Sequence, residues 1–147
     1  MLARTTLRMR AHGATALALV LALALLTARA YAHHSYAMFE QREIKLEGVI
    51  KVFEWTNPHI FIQLLVPTAT GQAEEWSLEG SGPGDLARAG WKFNSLKAGE
   101  KVRVGVAPLK DGRKGGGLIF VEKGDGTRLA GGPLARLDPD FRRGPGP

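Results

Sequence analysis

Cysteine is missing from all 147 residues. Its absence excludes disulfide staples, thiolate metal sites and a lipid-modified cysteine anchor. Aromatic residues make up only 7% of the chain, so Trp55, Trp76 and Trp91 stand out as surface or core candidates. Beyond position 32 no apolar run is long enough to cross a bilayer as a helix, and no nucleophile, base and orienting group recur at a catalytic spacing. Acidic residues are absent from positions 1–32, where Arg4, Arg8, Arg10 and Arg29 lie.

That asymmetry is the first positive signal. A basic start, a Leu/Ala-rich stretch from Ala14 to Leu26 and the small-x-small triplet Ala30-Tyr31-Ala32 predict a signal peptide over residues 1–32, cleaved after Ala32. The whole chain carries 20 Lys+Arg against 14 Asp+Glu. Removing the four leader arginines leaves 20 − 4 = 16 cations and a net charge of +2, which disfavours a nucleic-acid ligand. The expectation is a periplasmic or secreted protein with no stable membrane span after cleavage.

The remaining 115 residues (147 − 32) suit one domain. Residues 33–128 read as that domain, opened by a polar and aromatic arm at His33–Arg42. Residues 129–147, rich in Gly, Pro and Arg, read as a flexible tail, because Leu134 and Leu137 offer little apolar area to offset chain ordering. Ile44, Leu46, Gly48, Ile50 and Val52 alternate with Glu43, Lys45, Glu47, Val49 and Lys51. After the Thr56-Asn57-Pro58 turn Ile60, Ile62, Leu64 and Val66 share one face and His59, Phe61, Gln63 and Leu65 the other.

Glu74 to Gly80 predicts a third strand with Trp76 and Leu78 inward, Pro83 to Ala89 a short helix stopped by Gly90, and Lys101 to Ala107 a fourth strand. A fifth is expected over Gly117 to Glu122, after a glycine-rich hairpin turn at Asp111–Gly117. This order predicts an all-β fold, a small five-stranded OB-like Greek-key barrel with one short helix between strands 3 and 4. Gly48 and Gly105 suit the bends of its coiled strands.

Ala32-His33-His34-Ser35, Glu54-Trp55-Thr56-Asn57-Pro58-His59, Trp76-Ser77-Leu78-Glu79, Gly90-Trp91 and Leu96-Lys97-Ala98-Gly99-Glu100-Lys101-Val102 together resemble a family of small exported bacterial proteins, domain of unknown function 6152. The resemblance runs from about His33 to Arg128. It implies an exported strand-rich domain and names no reaction. Gln41-Arg42 departs from the more acidic arms such proteins carry, which leaves Glu40 as the arm's one carboxylate.

Histidine offers the chemistry. Cleavage after Ala32 gives His33 a free α-amine beside its imidazole, and His34 can add its amide nitrogen and imidazole, a nitrogen-rich set suited to copper, with zinc or nickel less favoured. His59 completes the candidate metal set of His33, His34 and His59. Met38 is a soft donor for Cu(I), and Tyr36, Met38 and Phe39 can dock the arm. The obstacle is reach, since His59 lies past the far end of a first strand roughly 36 Å long if straight.

The alternative is an envelope interaction module that holds an oligosaccharide or a protein partner on the barrel face through Trp55, Trp76 and Trp91. Glu54 and Glu79 are weighed as a catalytic carboxylate pair and set aside, because no partner set accompanies them. The leading expectation is non-enzymatic metal binding.

Overall fold

The computed structural model describes residues 36–142. The leader and the His33 and His34 positions lie outside the described residues. The chain divides into two units at Ala37/Met38, and the barrel belongs to the second.

Alternation produces the strands the sequence predicts. β1 (Ile44–Glu54), β2 (Phe61–Pro67) and β3 (Ala73–Glu79) form an antiparallel meander, followed by a short helix α1 (Pro83–Arg88) and then β4 (Lys101–Pro108) and β5 (Gly115–Lys123). β4 pairs with β1 and with β5, and β5 returns to β3 in parallel, closing the ring β1-β2-β3-β5-β4. This is a five-stranded OB-like barrel with its helix between the third and fourth strands. A sixth strand, β6 (Arg128–Ala130), adds to β5 outside the ring.

Ile50, Ile62, Leu64, Leu78, Val104 and Val121 fill the barrel, and Leu86 of α1 joins them with Trp91 and Leu96. On β1 the period-two reading breaks once. A bulge between Ile50 and Val52 reverses the facing of the rest of the strand, so Val52 is 40% exposed and Phe53 packs on the core in its place. An extra residue in one strand swaps the faces of every residue after it.

The glycines at 115–117 are not in the turn expected of them. They pair with Ser77, Leu78 and Glu79 in the seam that closes the barrel. A Cβ at Gly116 would lie 2.3 Å from the Ala107 carbonyl oxygen, and one at Gly117 would lie 2.2 Å from a Leu134 methyl. Glycine is required there for close approach, and the turn itself is confined to the residues before Gly115.

The expectation of a loose tail from Leu129 is also corrected. β6 takes up Leu129, and a 3-10 helix at Pro133–Leu137 buries Leu134 and Ala135. The buried Asp138 carboxylate receives Arg128 at 2.5 Å, and a helical turn α2 (Pro139–Arg142) completes the described chain. The apolar area missing from the tail is supplied by the wall it covers: Gly117 leaves room against which both Leu134 and Phe39 pack. Phe39 is buried and bridges Leu109.

Candidate functional site

The end of β3 lies beside the β1–β2 loop, as the antiparallel meander requires, and the staggered pairing of Ser77–Glu79 with Gly115–Gly117 brings the start of β5 and the β4–β5 loop alongside it. His59 lies in the first of these loops, just after the cis Asn57–Pro58 peptide. The Thr56 hydroxyl donates to the His59 carbonyl at 3.0 Å, which holds the residue's backbone.

The ring is fixed separately. Nδ1 lies 3.0 Å from the Gly80 carbonyl oxygen and 3.3 Å from Glu79 Oε1. Both neighbours are acceptors, so Nδ1 carries the proton and donates it, and in the neutral ring Nε2 keeps its lone pair. The side chain is 32% exposed, and Nε2 has no partner among the described residues. The result is an imidazole aimed by a backbone carbonyl and a carboxylate, with its second nitrogen open to a ligand.

Glu79 also borders a cleft of about 260 Å³. Phe61 and Ser77 line it from β2 and β3, Met38 and Phe39 from the arm, and Arg113 and Lys114 from the β4–β5 loop. The cations are already engaged. Arg113 meets Asp111 at 2.7 Å, and its hydrogen bond holds that carboxyl below the usual range. Lys114 meets Glu74 at 2.9 Å, likewise lowers that carboxyl by hydrogen bonding, and lies 5.5 Å over the Trp76 ring.

The three tryptophans do not form one platform. Trp91 is 2% exposed and donates from Nε1 to the Ala130 carbonyl at 2.8 Å, so its indole belongs to the core. Trp55 is half-buried and stands edge-on to Phe53 at 5.9 Å. Trp76 is half-buried and packs on the core beside Lys114. Glu54 and Glu79 are opposite Phe61 on its two sides in register, so a ring separates the two carboxylates and they do not share a proton.

Among the described residues no three His, Cys, Asp or Glu side chains converge on a metal position, and no helix is long and apolar enough to cross a membrane. Sequence reasoning places His59 and Glu79 in separate readings and misses the cleft. Phe61 and Ser77 are legible as outward positions opposite the Ile60-Ile62-Leu64 and Trp76-Leu78 faces; the arm's place in the cleft is not.

Fold and site define a small OB-like β-barrel with a cleft of mixed lining beside Glu79 and a pre-aimed histidine. The chain belongs to DUF6152, a family of unknown function, whose model matches residues 20–118. No curated protein and no solved structure matches it.

Proposed function

We propose that the protein is exported to the periplasm or beyond and binds a transition metal, copper foremost, without catalysing a reaction. His33, His34 and His59 supply the nitrogens. The observation that carries this reading is the anchoring of His59: metal-bound histidines almost always give their other ring N–H to a carbonyl or carboxylate, and His59 Nδ1 faces one of each. Glu79 then helps to fix the ring's orientation and tautomer.

The reading needs only a short reach from the arm. The arm is tied to the barrel by the Phe39–Leu109 bridge, and Met38 borders the same cleft as Glu79. His34 is four residues before Met38, so at ~3.5 Å per residue it can range roughly 14 Å from that edge.

The test is to express the protein with its own leader, read the intact mass and first residue, and titrate Cu(II) by calorimetry and electron paramagnetic resonance. A chain starting at His33 should bind one copper with a nitrogen-rich signal. The signal should be lost in the His33→Ala, His34→Ala variant and weakened in His59→Ala. A different first residue, or copper binding that survives both changes, overturns the reading.

The cleft favours a second reading, an oligosaccharide or protein segment held on the barrel face, now resting on Phe61 and Ser77 instead of the tryptophans. Glycan binding that is lost in Phe61→Ala and kept in the histidine variants would support it.

A further inference from the structure

Phe93 is the most exposed of the large apolar side chains described, at 73%, and its exposure is built in. It stands on a turn between two buried anchors, Trp91 and Leu96. The turn is closed by the Ser95 N–H on the Lys92 carbonyl at 3.0 Å and by the Lys92 N–H on the Ser95 hydroxyl at 2.8 Å. Trp91 N–H is tied in turn to the Leu86 carbonyl at 3.0 Å. Phe93 is therefore held out in water by a clamped backbone.

The charges around it are mostly paired. Between Pro83 and Gly99 the charged residues are Asp85, Arg88, Lys92 and Lys97. Glu100 takes the Lys97 backbone N–H at 3.1 Å and pairs with Lys123 at 3.1 Å, and Lys123 also donates to the Ser95 carbonyl. Arg88 and Asp85 pair with each other, which leaves Lys92 and Lys97. Neither ammonium has a carboxylate within ion-pair distance among the described residues. The small residues on either side of it in the chain, Ala87, Ala89, Gly90, Asn94, Ala98 and Gly99, are all exposed.

We propose that this turn docks the protein on an anionic lipid surface, Phe93 entering the headgroup boundary with Lys92 and Lys97 against the lipid phosphates. A ring that projects between two free lysines matches an apolar layer beneath a negative one. The cleft beside Glu79 does not include the turn. The docking surface is independent of the metal site.

The lack of cysteine makes the test clean. Phe93→Cys or, as a reference, Thr70→Cys on the β2–β3 turn is labelled with an environment-sensitive dye in the otherwise unaltered chain. Each is mixed with vesicles of phosphatidylcholine alone or with 30% phosphatidylglycerol. Emission should shift to the blue at position 93 only, and only with the anionic vesicles. In sedimentation, Lys92→Ala with Lys97→Ala should lower partitioning roughly 25-fold, about fivefold per lysine, and Phe93→Asp should lower it with no change in melting temperature. No shift at position 93, an equal shift at position 70, or partitioning indifferent to Phe93→Asp overturns the proposal. So does Phe93-dependent capture of a protein where the vesicles fail.

Discussion

Glu79 and His59 meet 3.3 Å apart although twenty positions separate them in the chain, because the β1–β2 loop folds onto the end of β3. Gly80 adds its carbonyl at 3.0 Å from the same nitrogen. The carboxylate is thus a partner of the ring's proton and leaves Nε2 to the ligand.

This division of labour predicts a graded result. Glu79→Gln leaves the Gly80 carbonyl in place, so the ring stays aimed and loses only the carboxylate among its two Nδ1 acceptors. Copper affinity should fall roughly 10-fold, less than on removal of His59 itself, with the nitrogen-rich spectrum retained. A calorimetric titration of the three proteins side by side checks the order.

Much of this end of the molecule is legible in the sequence as strands and loops, yet the contacts are not. Ile60, Ile62 and Leu64 announce their common face by spacing alone, whereas the bulge at Lys51, which turns Val52 outward, is a property of two paired strands. Gly115, Gly116 and Gly117 have the composition of a flexible turn and the role of a tight seam, and only the facing Ala107 carbonyl and Leu134 methyl distinguish the two. His59 is visible as a candidate ligand; its proton's position depends on Gly80, brought close by the barrel's closure.

The seam gives the second prediction. Gly116→Ala places a Cβ 2.3 Å from a backbone oxygen and 2.5 Å from a Val106 methyl, between strands that cannot separate without opening the barrel. The variant should lose at least about 1–3 kcal/mol, the usual cost of overpacking, and more if β4 and β5 part. Urea denaturation followed by tryptophan emission measures it.

Trp91 gives the third, and separates packing from recognition. Trp91→Ala removes a ring from beside Phe53, 5.9 Å away, and leaves the Ala130 carbonyl without its donor. The expected loss is about 3–5 kcal/mol, read from the denaturation midpoint. Trp55→Ala, at a half-buried site, should cost less.

The last prediction concerns Glu43 and the C-terminal segment. Its side chain is only 10% exposed, and Oε1 is buried without a hydrogen-bond partner. Lys45 stands 3.9 Å away. Burial raises its carboxyl pKa above 4.5; Lys45 and Arg128 pull the other way, and Asp138 and Asp140 add to the rise. Because the folded pKa lies above the unfolded one, the folded state holds this proton more tightly than the unfolded state does. The stabilisation is complete below the unfolded pKa and is lost as pH rises through the folded one. Glu43→Gln keeps the shape without the charge, so at pH 7 it should melt at a higher temperature than the parent, and the difference should shrink on acidification toward pH 4. Melting curves of both proteins across that range decide it, and equal melting temperatures at pH 7 would show that the buried carboxylate costs the fold nothing.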